Sequence, residues 1–98
     1  MAFDLIFSPH AQEHLEVLRK RDQQIIIGAI AVQLSYQPDQ PTKHRKLLDD
    51  NPLAPWELRV GDFRVFYDVD RSEEKVIVIA IGHKVHNTLS IGGEEIEL

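Results

Sequence analysis

The stretch that most constrains the fold is residues 56–69, which run Trp-Glu-Leu-Arg-Val-Gly-Asp-Phe-Arg-Val-Phe-Tyr-Asp-Val. Two runs rich in β-branched and aromatic residues flank the pair Gly61-Asp62, which is the pattern of a β-hairpin with a two-residue loop. A loop of that length sets which residues of the two strands face each other. The sequence therefore predicts an antiparallel strand pair with a defined register.

This register divides the hairpin into an apolar face and a charged face. The apolar face, which suits a core, carries three predicted pairs: Trp56 with Tyr67, Leu58 with Val65, and Val60 with Phe63. On the other face Arg59 lies opposite Arg64, and Glu57 lies opposite Phe66. Like charges placed opposite each other destabilise a sheet, so stability alone does not explain the arginines. Either they bind an anion such as phosphate, or they extend into solvent or pair with Glu57 and Asp62.

Composition limits the chain to one domain, residues 1–98, and to a few chemistries. The 98 residues leave no room for a second core, and the absence of cysteine excludes disulfides and thiolate chemistry. A formal net charge of −5 argues against a protein that coats nucleic acid, although the cluster Lys43–Lys46 is compatible with a local cationic cleft. Nothing resembles a signal peptide or a membrane span, so a cytoplasmic protein without membrane contact is expected.

Before the hairpin, the sequence predicts one strand and two helices. The apolar run Phe3–Phe7 indicates a first strand. Ser8-Pro9 then supplies an N-cap and a proline suited to the first helical position, so an amphipathic helix is expected to about Arg21. Residues 22–36 predict a second helix. Because its apolar residues cover more than one stripe, we expect it to be largely buried, with Gly28 at a close approach to the sheet.

The segments on either side of the hairpin predict a loop and a central strand. Residues 38–55 contain four prolines and predict a loop that carries the basic cluster Lys43–Lys46. Residues 75–82 are continuously rich in Val and Ile, which is typical of a strand covered on both faces. If this strand pairs antiparallel with the preceding one, Ala80 lies beside Arg64, and Ala80 and Gly82 leave an open surface next to the arginines.

The C-terminal part has a polar segment, residues 82–87, followed by a tail that predicts a small hairpin around its Gly-Gly pair. Functional groups favour loops that a rigid strand positions, and His83 and His86 lie in this one. With the acidic tail they are the candidate metal ligands, but no further strong ligand is evident. We therefore expect no metal site and no cofactor.

The order of these elements, together with the segments Leu58–Tyr67 and Ile81–Lys84, resembles the RelE/ParE superfamily of toxin–antitoxin toxins, and more closely its RelE-like branch. The resemblance covers roughly residues 1–86. It implies an α+β fold in which an N-terminal strand and a two-helix hairpin pack on a twisted, mainly antiparallel β-sheet. It also implies a ribosome-dependent mRNA endonuclease that needs no metal and in which a ribose 2′-hydroxyl attacks the adjacent phosphate.

The resemblance also assigns positions to the basic residues. Arg64 matches the family's phosphate-stabilising arginine, Arg59 a basic residue of the preceding strand, and Lys84 the basic residue beyond the last strand. The resemblance also implies that three residues of the basic loop contact RNA: Lys43, Arg45 and Lys46. Two features depart from the family: the tyrosine expected a few residues after Lys84 is missing, and the strongly basic overall charge is absent.

The chemistry of RNA transesterification suggests further candidates. The reaction needs a base for the 2′-hydroxyl, an acid for the leaving 5′-oxygen and fixed positive charge for the developing dianion. The three basic strand residues can supply the charge. Since histidine titrates nearest neutrality, His83 and His86 are the natural candidates for proton transfer, with Glu57 as an alternative base.

Three functions follow from the resemblance. Besides the nuclease, a ParE-like protein shares the fold but acts by binding DNA gyrase without cleaving RNA, and a degenerate member only binds its antitoxin. The basic cluster favours the nuclease, whereas the missing tyrosine and the acidic balance favour the others. The expected partners are a cognate antitoxin and, for the nuclease, the ribosome and mRNA; no small-molecule ligand is expected.

Overall fold

Two helices lie against a seven-stranded sheet in the computed structural model, which describes residues 2–48, 53–92 and 94–96. The helices are α1 (Pro9–Glu16) and α2 (Lys20–Leu34). The strands are β1 (Asp4–Phe7), β2 (Arg45–Leu47), β3 (Trp56–Val60), β4 (Phe63–Asp70), β5 (Lys75–Val85), β6 (Thr88–Ile91) and β7 (Glu94–Ile96). Within these residues, neither helix has the length and apolar character needed to cross a membrane.

The sheet is mainly antiparallel and is centred on β5. Its strand order is β2-β3-β4-β5-β6-β7, and β1 pairs in parallel with β5. Because β4 occupies one edge of β5, β1 and β6 share the other edge, β1 along the first half of the strand and β6 along the last. This arrangement confirms the α+β class, the central position of residues 75–82 and the small C-terminal hairpin.

The predicted register of the first hairpin is confirmed, but that of the next strand pair is wrong. Arg59 lies opposite Arg64 and Glu57 opposite Phe66, as the two-residue loop requires. In β5, however, Gly82 rather than Ala80 lies opposite Arg64. A four-residue turn joins β4 to β5, and β5 has one extra residue at a bulge facing Phe66 and Tyr67. Together the turn and the bulge move the partner of Arg64 two positions along β5, from Ala80 to Gly82.

Two apolar clusters lie on the two faces of this sheet. The larger lies on the helix face, the side that packs against α1 and α2, and its fully buried members include Ile26, Ile30, Leu34, Leu58, Val65, Tyr67, Val76 and Val78. The opposite side, the outer face, carries a smaller cluster of Ala54, Phe66, Ala80 and Leu89. The outer face therefore has a packed apolar surface of its own.

Helix α2 is more exposed than its composition predicts. Its buried residues form one stripe of Ile26, Ile30 and Leu34. Ile25 and Val32 are 49% and 77% exposed, and a Cβ atom built on Gly28 would have nothing within 4 Å. The prediction of a buried helix with a close approach at Gly28 is wrong because one sheet layer contacts only one stripe of a helix.

Two boundaries also differ from prediction. α1 starts at Pro9 with Ser8 as its N-cap, as expected, but it ends at Glu16, and α2 already begins at Lys20. The predicted loop over residues 38–55 contains the edge strand β2, paired with β3 so that Lys46 lies opposite Glu57. β2 has only three residues, which is too short for an alternation of polar and apolar side chains to reveal a strand in the sequence. Residues 49–52 of that loop lie outside the described residues.

Candidate functional site

Basic side chains from neighbouring strands share the outer face of the sheet. Alternation and register place Arg59 of β3, Arg64 of β4 and Lys84 of β5 on this face, with Lys46 of β2 beside them. Strands about 4.8 Å apart that rise about 3.3 Å per residue put the α-carbons of Arg59, Arg64 and Lys84 within about 12 Å. We call these three residues the cationic cluster.

Arg64 is held in place by the hairpin turn next to it. Its Nη1 donates hydrogen bonds to the carbonyl oxygens of Gly61 and Phe63, both at 2.8 Å, and its side chain is buried. Gly61 itself has φ +58, a conformation that glycine adopts without strain. The guanidinium is thus positioned by carbonyl dipoles, which leave its full positive charge in place.

Arg59 is exposed, whereas Lys84 is half-buried. The ion pairs among residues 2–48, 53–92 and 94–96 lie elsewhere, at Arg19–Asp22 and Arg71–Asp39, so no described carboxylate neutralises the cationic cluster. Two guanidiniums opposite each other without a counter-ion repel, and binding of an anion relieves that repulsion. The cluster is therefore suited to phosphate.

Glu57 is the candidate base that lies on the same face. It precedes Arg59 by two residues on β3, lies opposite both Lys46 and Phe66, and is buried. Among the described residues its carboxylate forms no ion pair. A carboxylate on this face is able to accept a proton from a hydroxyl that the cluster holds.

Of the two candidate histidines, His83 does not join this group. His83 falls between Gly82 and Lys84 and therefore points to the helix face, where its ring stacks on Phe63 with centroids 4.7 Å apart. His86 lies in the two-residue turn between β5 and β6, with φ +50. The hypothesis that His83 transfers protons at the cluster is not supported, because neighbouring residues of a strand lie on opposite faces.

The floor beside Arg64 is covered rather than open. A Cβ atom on Gly82 would lie 2.8 Å from Leu89 Cδ1 and 2.9 Å from Ile91 Cγ1, so side chains of β6 pack directly over this glycine. Leu89 is itself buried in the outer cluster. The cationic cluster therefore borders an apolar platform.

Arg45 has a structural position that its membership of the basic loop did not indicate. Its Nη1 donates to three carbonyls at the C-terminal end of α2, those of Gln33 (3.1 Å), Tyr36 (3.4 Å) and Gln37 (2.6 Å). The last carbonyls of a helix lack intrahelical partners and attract cations. Since Arg45 is buried on the helix face, the structure does not support RNA contact by it. Lys43 and Lys46 are exposed.

Replacing Arg45 is therefore expected to affect folding rather than binding. In Arg45→Met the apolar stem remains but the carbonyls lose their donor, which should lower the free energy of unfolding by about 2–3 kcal/mol in urea denaturation. The neighbouring variant Lys46→Met removes an exposed charge and should change it by less than about 0.5 kcal/mol. Equal losses in the two variants would contradict this assignment.

Trp56 and Tyr67 lie in the core, as predicted. Their rings stack on the helix face with centroids 6.0 Å apart, and the Tyr67 hydroxyl donates to the carbonyl oxygen of Pro38 at 2.8 Å. Burial raises the pKa of Tyr67 well above its ordinary value. This tyrosine therefore stays protonated and does not replace the missing tyrosine of the family pattern.

Comparison with known proteins gives one family and one fold. A family model described as the ParE toxin of the type II toxin–antitoxin system parDE matches residues 5–87. The chain is similar to the toxin–antitoxin complex RelBE2 from Mycobacterium tuberculosis, with a TM-score of 0.75 and 20% identity over 86% of this chain and 93% of that one. It is also similar to the RelE–RelB complex from Pyrococcus horikoshii OT3, with a TM-score of 0.69 and 18% identity over 88% and 99%. No match was found among curated protein sequences.

Proposed function

This chain belongs to the ParE toxin family of type II toxin–antitoxin systems, within the RelE/ParE superfamily, and on that premise we propose that it is a ribosome-dependent mRNA endonuclease. A cognate antitoxin is its proposed protein partner, because the similar M. tuberculosis structure is a toxin–antitoxin complex. The observation that carries the proposal is the cationic cluster, which gathers Arg59, Arg64 and Lys84 on one face without a described counter-ion.

The proposed reaction is a transesterification at one phosphodiester. A base takes the proton of the ribose 2′-hydroxyl, the 2′-oxygen bonds to phosphorus, and the bond from phosphorus to the 5′-oxygen breaks. The 5′-oxygen takes up a proton, which leaves a 2′,3′-cyclic phosphate and a free 5′-hydroxyl. Fixed guanidinium charge stabilises the dianion that develops between these states, so the reaction as proposed needs no metal.

The residues take roles that their positions support. Arg64 is held by two carbonyls before substrate binds, which suits a donor that must not reorganise during the reaction. Arg59 and Lys84 add charge from the strands on either side. Glu57 is the proposed base because it shares the outer face, and His86, two residues beyond Lys84, is the proposed acid.

Induced expression of the chain without its antitoxin tests this proposal. Primer extension should show new mRNA 5′ ends spaced by codons, and these should disappear in Arg64→Ala. Because Arg64 also contacts the hairpin turn, folding of that variant must be checked by thermal unfolding. Arg21→Ala, which removes an exposed cation from α2, is the matched control and should leave the cleavage pattern intact.

A second candidate function, binding of DNA gyrase without RNA cleavage, is favoured by the match to a ParE rather than a RelE family model. Plasmid supercoiling, measured in the same induced cells, separates the two functions. Altered supercoiling without codon-spaced ends would replace the nuclease proposal by this one. Loss of the ends in Arg64→Ala with unchanged supercoiling would support the nuclease.

A further inference from the structure

The central strand β5 has a gap along the edge that it shares with β1 and β6. β1 pairs with β5 as far as Val78, and β6 pairs with it from Gly82 onward. Residues 79–81 therefore have no neighbouring strand on that edge. Buried backbone groups need hydrogen-bond partners, so another element must supply them here.

Helix α1 supplies these partners through two side chains. Ser8 Oγ donates to the carbonyl oxygen of Ile79 at 2.9 Å while accepting the N–H of Ala11 at 3.1 Å. One and a half turns further along, His14 Nδ1 accepts the backbone N–H of Ile81 at 3.2 Å. An imidazole nitrogen accepts a hydrogen bond only while it carries no proton, so this contact requires neutral His14 with its proton on Nε2.

We propose that His14 is a positioning residue that holds the middle of β5 to α1 only while its imidazole is neutral. The strand segment that follows the contact contains Gly82, which lies opposite Arg64, and then Lys84. The geometry of the cationic cluster thus depends on a contact made on the opposite side of the sheet. This consequence for cleavage rests on the proposed function, whereas the contact between His14 and Ile81 does not.

A second proton on His14 would have to go on Nδ1, the nitrogen that faces the backbone N–H of Ile81. Its ring lines a cavity of about 200 Å³ together with Leu18, Phe63, His83 and Ser90. A Cβ atom on Gly92 would lie 3.4 Å from its Cδ2, so the connection after β6 packs close to the ring. A protonated ring would place an N–H against the N–H of Ile81, and two donors facing each other cannot bond.

Burial and the neighbouring charged groups together lower the pKa of His14. Burial lowers the pKa of His14 below its ordinary value of 6.5, and His10, whose ring centroid is 6.5 Å away, lowers it further, while Glu13 raises it. From the sheet, His83 of β5 faces the same cavity, and Glu95 of β7 lies opposite Ser90.

This direction sets the sign of the pH dependence. The folded protein binds a proton at His14 less readily than the unfolded chain does, so folding is favoured most above about pH 6.5. The stability that His14 contributes is lost as the pH falls below that value. Acidification should therefore open the contact to Ile81 before it unfolds the sheet.

Amide hydrogen exchange on the purified chain tests the proposal without RNA or ribosomes. The probe is the protection of the Ile81 amide divided by that of Val78, a buried residue of the same strand, at about pH 7.5 and about pH 5. In the wild type we expect this ratio to fall about tenfold at the lower pH, the size typical of a buried N–H that loses its acceptor. An unchanged ratio would overturn the proposal.

Two variants separate proton control from a merely structural role. His14→Asn keeps an acceptor near the position of Nδ1 but does not titrate, so its ratio should be the same at both pH values. His10→Asn, on the same helix without this contact, should keep a ratio that falls at the lower pH. A pH-dependent ratio in His14→Asn would overturn the proposal, as would ring-nitrogen NMR shifts that place the wild-type His14 proton on Nδ1 at neutral pH.

Discussion

Arg59→Ala is expected to lower the rate of RNA cleavage by about 100- to 1,000-fold, the loss typical of removing one donor aimed at developing negative charge. Arg59 is exposed and has no described ion-pair partner, so folding does not depend on its charge. The free energy of unfolding should stay within about 0.5 kcal/mol of the wild type, because the lost contacts are few and the repulsion from Arg64 is removed. Single-turnover cleavage of mRNA on programmed ribosomes measures the rate.

Arg59→Lys shows what the guanidinium itself contributes. Lysine keeps the charge but lacks the planar fork that binds two phosphate oxygens, so its rate should lie between those of the wild type and Arg59→Ala. Arg21→Ala, on the helix side of the molecule, should cleave at the wild-type rate. If Arg59→Ala also cleaves at that rate, Arg59 has no part in the reaction and the cationic cluster is not the site.

Phe66→Ala is expected to lower the free energy of unfolding by about 3–5 kcal/mol. Phe66 is fully buried in the outer cluster, where it packs with Ala80 and Leu89, and neither of the two described helices covers this face to fill the cavity. A domain of this size is stable by about 5–15 kcal/mol, so the variant should be close to unfolding at room temperature. Urea denaturation measures the difference.

Phe63→Ala is the matched control for this prediction. Phe63 belongs to the same strand but is only half-buried on the helix face, so its loss should cost clearly less than that of Phe66. The milder variant Phe66→Leu should stay folded and show whether the floor of the outer face matters for cleavage. If Phe66→Ala and Phe63→Ala lower the free energy of unfolding equally, the outer cluster does not stabilise the fold as a second core.

Local rules predicted the parts of this fold that depend on neighbouring residues. The register that puts Arg59 opposite Arg64 followed from a two-residue loop, and the N-cap at Ser8 followed from its residue type and the proline after it. The register of β5 could not be predicted in this way. It depends on one extra residue in a bulge, and a bulge leaves no mark on the alternation of a strand rich in Val and Ile throughout.

The positions of the site residues were also predictable only in part. Counting along β5 from Lys84 would have placed His83 on the other face, since successive residues of a strand alternate. For Arg45 and His14 no local signal existed. Arg45 caps a helix that ends about ten residues earlier, and His14 bonds to a strand 67 residues later, so only the tertiary structure shows what they do.

The parallel pairing of β1 with β5 bears on when this protein becomes able to act during its own synthesis. Asp4–Phe7 cannot join the sheet until Lys75–Val78 has left the ribosome, because each needs the other as its neighbour. Contacts between such distant segments form late and slowly. A nascent chain that has not yet released Lys75–Val78 therefore cannot complete the sheet, so the cationic cluster is assembled only when nearly the whole chain has been made.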